Sequence, residues 1–425
     1  MLTTSIGNWL LIGFAVAVST YHATSPVILA LSVLLWLAVY DSLFPLLTLH
    51  KPKDFAHAKS RRFGVQVPPP YPNGWYLVLY SFELKQDVQS VRALGRELAV
   101  WRSKTTGKVS VFGAYCPHLG ANLSIEGKVE GDCLKCPFHG WKFHGCDGST
   151  KSQVNQAEVY LCQERNGMIL IWLDAKRDAA RRGRASVATT TEPERPDWQV
   201  DAGLHDPLVH GQFVGMVEHE LCAHISEIPE NGADGNHLST VHAPFVLEKL
   251  SGWLDHDWKF TWTPNRDSDA LKHTAVVDMN LGLRVKHLGL VDSFAVRVHV
   301  VQTGPGLVFE MLTLPLGLGT VYFCSSVTPV SPKLLRYTHA MYCSSWLPRI
   351  VAKTLLRGLQ VQVNRDVPIW NNKTYRAKPP LTKEDGDAIS QFRHWFSQFY
   401  SPESETFEQA LEWERGQASH DESGW

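Results

Sequence analysis

Four side chains able to bind metal lie in one short stretch. Cys116 and His118 stand in Tyr115-Cys116-Pro117-His118-Leu119-Gly120-Ala121, and Cys136 and His139 in Cys136-Pro137-Phe138-His139-Gly140-Trp141. The two pairs read C-x-H and C-x2-H and are separated by seventeen residues. Two thiolates and two imidazoles suit a 2Fe-2S cluster in which cysteines hold one iron and histidines the other. Zinc also takes two Cys and two His. Zinc fingers, however, pair Cys with Cys and His with His along the chain, whereas each pair here mixes the two. Gly120 and Gly140 close the pairs, which suits tight loops that turn backbone N–H groups toward cluster sulfurs.

A second constellation, D-x2-H-x4-H, lies downstream at Asp234, His237 and His242. Two histidines with a carboxylate suggest the facial triad that holds non-haem Fe(II) and leaves positions open for oxygen. Residues five apart on an ideal helix point about 140° apart. His237 and His242 therefore share a metal only if the helix is distorted or ends between them, and Gly232 and Gly235 make irregularity plausible. Carboxylates available to complete the set are Asp366, Glu230, Asp385 and Asp387.

The elements that must position these groups can be read along the chain. Its 425 residues allow two to three domains. A net charge of −1 leaves no nucleic-acid footprint. Cys133, Cys146, Cys162, Cys222, Cys324 and Cys343 show no disulfide spacing, which favours a reducing compartment. Residues 1–50 hold no Lys or Arg, and Pro26 to Leu49 is an apolar run broken only by Asp41 and Pro45. A span of about 20 residues crosses a bilayer, so 1–50 reads as a membrane anchor, of one helix or two. Lys51, Lys53, Lys59, Arg61 and Arg62 follow, and the positive-inside rule keeps them and the domains behind them cytosolic. Residues 51–74 read as a basic and proline-rich linker. Short β runs over 75–175 predict a small antiparallel domain with the cysteine-histidine loops between its strands. Residues 176–200 read as an exposed linker. In 201–425 the pattern predicts a helix around Val217 to Val241, then six strands, then helices at Leu347 to Trp370, Asp385 to Tyr400 and Ser404 to Glu414. The fold class is thus α+β: a membrane anchor, a small β domain, and an antiparallel sheet gripped by helices with an apolar cavity between the layers.

The mixed pairs closely resemble those of Rieske iron-sulfur proteins. Ala121 and Phe138 stand where the respiratory-chain type would carry further cysteines, so the resemblance is to the oxygenase or ferredoxin type. With D-x2-H-x4-H downstream, the chain from about Tyr71 to its C-terminal helices resembles the Rieske non-haem iron oxygenases. The resemblance implies a 2Fe-2S cluster on Cys116, His118, Cys136 and His139, and a mononuclear Fe(II) on His237, His242 and a late carboxylate, for which Asp366 in Asn364-Arg365-Asp366-Val367-Pro368-Ile369-Trp370 fits. It implies that Asp234 bridges the iron site to the cluster of a neighbouring subunit in a homotrimer. It also implies a separate reductase supplying electrons from NAD(P)H.

The apolar N-terminus, the segment Pro68-Pro69-Pro70-Tyr71-Pro72-Asn73-Gly74-Trp75, the single cluster and the Asp366 segment are similar to the Neverland family of cholesterol 7-desaturases. That resemblance implies O2-dependent conversion of cholesterol to 7-dehydrocholesterol in steroid-hormone synthesis, at a membrane of the endoplasmic reticulum. Two rival readings stand beside it: a Rieske sterol or steroid monooxygenase, and a Rieske electron carrier.

Overall fold

A computed structural model describes residues 48–50, 66–85, 87–151, 156–181, 196–200, 211–244, 253–266, 268–285, 289–382 and 387–422. The chain enters with β1 (Thr48–His50), followed by β2 (Gly74–Tyr80), β3 (Val88–Ala93), β4 (Arg96–Arg102), β5 (Val109–Gly113), β6 (Lys128–Glu130), β7 (Cys133–Lys135), β8 (Lys142–His144), β9 (Val159–Tyr160), β10 (Cys162–Arg165) and β11 (Met168–Leu173). From β2 to β11 they form three small antiparallel sheets, ordered β10-β11-β2, β3-β4-β5-β9 and β6-β7-β8. The short third sheet carries the two Cys-His loops at its margins.

β2 and β11 read as continuous apolar runs because both of their faces are covered. Tyr76, Val78, Ile169 and Ile171 face the larger core. Trp75, Leu77, Leu170 and Trp172 pack with Phe309, Cys324, Ala340 and Tyr342 of the second domain. Polar bonds fix the same seam: the Tyr80 hydroxyl donates to the Cys324 carbonyl at 3.1 Å and Thr328 Oγ1 to the Leu77 carbonyl at 2.8 Å.

α1 (Ala175–Arg181) leads to β12 (Gln212–Leu221), α2 (Gly235–Val241), β13 (Leu254–Pro264), β14 (Thr274–Val285), β15 (Gly289–Thr303), β16 (Leu307–Leu314), β17 (Gly319–Ser331) and β18 (Leu334–Cys343). One eight-stranded sheet results, ordered β1-β12-β18-β17-β16-β15-β14-β13. It is antiparallel except where β1 joins β12. α3 (Arg349–Asn372) lies on its inner face, and α4 (Ala388–Ser397) and α5 (Phe407–Glu422) follow. Ala352 and Leu356 of α3 pack on Val321, Phe323 and Met341, while Val363 and Trp370 reach Val298 and Val300. Leu356 is fully buried, and truncating such a leucine costs about 2–5 kcal/mol. The sheet therefore fixes where α3 presents its remaining side chains.

Several expectations are corrected. The helix expected over Val217 to Val241 is strand β12 up to Leu221, because Gly215 to Leu221 pair with β18 and Val217 to His219 also with β1. The expected linker at 176–200 opens with α1, anchored by an ion pair of its Asp178 with Arg96. Pro72 and Asn73 are not a free spacer: Tyr76 donates to the Pro72 carbonyl and the Asn73 N–H to Phe399 O.

The membrane anchor and the membrane localisation built on it are not supported. Among the described residues no helix is long and apolar enough to cross a membrane. Residues 1–47 lie outside the described residues, and the end of the expected span, Thr48 and Leu49, pairs as strand β1 with Val217 and Glu218.

Candidate active site

The two Cys-His loops are built alike. Cys116 N–H donates to Ala121 O and Cys136 N–H to Trp141 O, while Gly120 N–H and Gly140 N–H return to the carbonyls of Cys116 and Cys136. Gly120 and Gly140 take φ of 73° and 71°, a left-handed backbone that favours glycine. Cys116 and Cys136 are buried at 3% and 2% exposure, with their thiols in hydrogen-bond contact. Burial pushes the Cys116 thiol up, opposed by the His118 and Leu119 N–H groups aimed at its sulfur.

The two imidazoles lie at the opposite, outward end. The His118 and His139 rings are 4.6 Å apart, and Trp141 stacks on His118 at 4.4 Å. His139 is exposed, as are Leu119 and Phe138 beside it. Buried sulfurs at one end and surface imidazoles at the other fit a two-iron cluster seated lengthwise. A single zinc would gather all four ligands at about 2.0–2.3 Å. No three of these four residues bring ligand atoms within 4.8 Å of one another, as three residues of the second site do.

At the second site His237, His242 and Asp366 bring their ligand atoms within 4.8 Å of one another. His237 lies in α2, and His242 is the residue just beyond it, with φ −105° and its N–H on Leu238 O. The helix thus ends between the histidines, which lets two residues five apart converge. Gly235 opens that helix against Phe260, in a space that a Cβ would fill. Asp366 reaches the histidines from α3, its Oδ2 3.2 Å from His242 Nε2. Two imidazoles and one carboxylate, both His242 and Asp366 being buried, match the donor set of a mononuclear iron with open positions.

Hydrogen bonds around the three occupy one nitrogen of each imidazole. Arg365 donates to Gln362 Oε1 at 2.9 Å, so that atom is the amide oxygen, and His242 Nδ1–H donates to it at 2.8 Å. Nε2 of His242 is thereby left as the free lone pair. His237 Nδ1–H likewise donates to the Asp234 carbonyl at 2.5 Å. Burial, then the neighbouring His242, pushes His237 below the usual histidine range, keeping it neutral as a ligand must be. His256 nearby is pushed down to about 4, by burial first and then by the Arg365 cation.

Asp234 stands at the N-terminus of α2. Its carboxylate caps α2, accepting from Asn236 N–H at 3.1 Å and His237 N–H at 3.2 Å, so it meets the ring of His237 only through its backbone. Of the other carboxylates considered, Glu230 is occupied by a two-pronged ion pair with Arg393 at 2.7 and 3.1 Å. Asp387 is exposed, and Asp385 lies outside the described residues. The residue that sequence reasoning missed is Gln362. The available signal was its position one turn before Asp366, on the same helical face.

A family profile described as the Rieske [2Fe-2S] domain matches residues 74–162, and one described as the 3-ketosteroid 9alpha-hydroxylase C-terminal domain matches residues 171–400. Cholesterol 7-desaturase nvd of Xenopus laevis is 38% identical over 379 residues, covering 84% of this chain and 78% of its own. Its Drosophila melanogaster counterpart is 35% identical over 365 residues, covering 81% and 79%. The oxygenase component of 3-ketosteroid-9-alpha-monooxygenase from Rhodococcus rhodochrous is 23% identical over 358 residues, covering 78% and 85%. Among solved structures, Pseudomonas putida NdmA with caffeine superposes with a TM-score of 0.52 at 16% identity, covering 76% of this chain and 89% of that one. At that identity it speaks for the fold alone.

Proposed function

This chain belongs to the family of Rieske cholesterol 7-desaturases, and from that premise we propose that it converts cholesterol to 7-dehydrocholesterol for steroid-hormone synthesis. The observation that carries the reading is identity of 32–38% with relatives of that name over at least 80% of the chain. Hydrogens leave C7 and C8, and dioxygen takes them up with two further electrons and two protons, leaving as water. A separate reductase supplies the electrons from NAD(P)H.

In this reading Cys116 and Cys136 hold one iron of the cluster and His118 and His139 the other. His237, His242 and Asp366 hold the mononuclear iron. When bound, the cluster passes electrons singly and the mononuclear iron supplies open positions for dioxygen. The residues around them hold geometry: Gln362 and the Asp234 carbonyl orient the two imidazoles, and the apolar inner face excludes water. The half-buried Asp234 carboxylate keeps acceptor capacity beyond its two capping bonds. It would take a hydrogen bond from His118 or His139 of a second copy, in a head-to-tail ring of three that also covers Leu119 and Phe138.

Turnover of cholesterol with a reconstituted reductase and NAD(P)H tests the reading. A product lighter by two hydrogens supports it, and a product heavier by one oxygen makes the protein a hydroxylase. Iron content separates the electron-carrier alternative, at about three irons per chain for the oxygenase and two for a carrier.

A further inference from the structure

The inner face of the eight-stranded sheet carries a line of polar groups, Glu310, Ser325 and His339, in an otherwise largely apolar setting. Phe260, Met279, Val296, Leu312 and, from α3, Leu359 and Val367 are only partly buried against the core, the pattern of side chains bordering a space rather than filling a core. Glu310 of β16, two residues before Leu312, is enclosed by protein yet keeps accessible surface. Its carboxyl has one hydrogen-bond partner among the described residues, Ser325 of β17, whose hydroxyl donates to Oε1 at 3.1 Å. The Ser325 oxygen lies 2.7 Å from Nδ1 of the buried His339 on β18. Since serine has one proton and spends it on Glu310, His339 Nδ1–H donates to Ser325, and the three strands form a directed line ending at the carboxyl. Tyr337, two residues before His339, is within electrostatic reach of both Glu310 and Asp366, and no hydrogen bond to its hydroxyl exists among the described residues. Burial pushes the Glu310 carboxyl up to about 7.

A buried carboxyl and phenol with unmet bonding capacity are costly unless a ligand completes them. A sterol is an apolar body with a single hydroxyl, which both donates and accepts. We propose that Glu310, oriented by Ser325 and His339 and assisted by the Tyr337 hydroxyl, binds the 3β-hydroxyl of the sterol substrate. The hydroxyl donates to the Glu310 carboxyl and accepts from Tyr337, which places the ring system along the apolar face toward Asp366. This subsite rests on the sterol reading above.

Equilibrium binding of labelled cholesterol and of its 3-deoxy analogue cholest-5-ene to the anaerobic holoenzyme tests it. The wild type is expected to prefer cholesterol by roughly 10- to 100-fold, as a buried hydrogen bond to an ionisable group is worth. Glu310→Leu is expected to bind both sterols alike, at the affinity the wild type shows for cholest-5-ene, and Glu310→Gln to keep part of the preference. In turnover the Glu310→Leu loss should fall on KM for cholesterol and not on KM for cholest-5-ene. Should Glu310→Leu fail to fold, Tyr337→Phe carries the same comparison, with a smaller loss of preference. A wild-type preference retained in Glu310→Leu, or an equal loss for both sterols, overturns the subsite and leaves the desaturase reading intact. A preference abolished as expected in a protein that never yields 7-dehydrocholesterol overturns the desaturase reading and leaves the subsite. A wild type that binds neither sterol overturns both.

Discussion

The two metal constellations of this chain solve the same problem in opposite ways. The cluster loops take all four candidate ligands from one stretch, hold the thiols by backbone turns, and put the imidazoles at the surface. The second site draws its three candidate ligands from α2 and its end and from α3, more than a hundred residues on, with His242 and Asp366 buried and His237 half-buried. A local loop specifies its geometry through glycines and turn hydrogen bonds. A dispersed site has no geometry until the sheet places the helix. The first is suited to meeting a partner and the second to excluding water from a reaction.

Replacing ligands is the largest expected effect and the most direct way to break that contrast. Asp366→Ala should reduce turnover to background and lower iron from about three to about two per chain while leaving the cluster's visible absorbance intact. Cys136→Ser should do the reverse, removing the absorbance and retaining the mononuclear iron. Loss of both metals in Asp366→Ala would mean that the sites are folded by one another rather than separately.

Acid should also divide the two regions. All of the fully buried histidines among the described residues, including His224 and His339, belong to the second region, and none to the cluster loops. Burial pushes His224 down to about 4 and His339 to about 3. Between those values and about 6.5 the unfolded chain binds protons that the folded chain does not, so stability is present above pH 6.5 and lost as pH falls toward 4. A shift of that size at His224 alone is worth about 3 kcal/mol. Urea unfolding across this range should show the fall, and it should be shallower in His224→Asn. A flat profile in the wild type would show that these histidines find a charged partner on folding.

The imidazole orienter ranks next. Gln362→Leu removes the acceptor that fixes His242, and partners of this kind change metal affinity by about 10–100-fold. Iron titration should show that loss at the mononuclear site with the cluster unchanged. An unaltered affinity would mean that packing in α3 alone orients His242.

How much of this was legible follows from the same contrast. Cys116, His118, Cys136 and His139 declare themselves because ligand spacing and turn chemistry are local properties. His237 and His242 were visible as a pair, and only their convergence depended on a helix end that spacing left open. The six strands expected in the second half are there as β13 to β18, because β-branched runs alternate in them. β12 was read as helix, since Val217, Glu218 and Leu221 also fit helical spacing and only pairing with β18 and β1 decides between the periods. The line Glu310–Ser325–His339 was invisible in sequence. It exists through register alone, with Ser325 opposite His339 and Glu310 opposite Phe323.

The smallest expected effect guards the distinction between being near a metal site and being one. His144, Cys146 and Asp147 also bring ligand atoms within 4.8 Å of one another. All three are exposed, and the His144 Nδ1 to Cys146 Sγ contact of 3.0 Å sits within a turn after β8. Cys146→Ser should leave iron content and cluster absorbance unchanged and move stability by no more than about 0.5 kcal/mol, as surface substitutions do. A fall in bound iron in that variant would add a third metal position, and would show that exposure and turn geometry alone do not separate the two ways this chain assembles ligands.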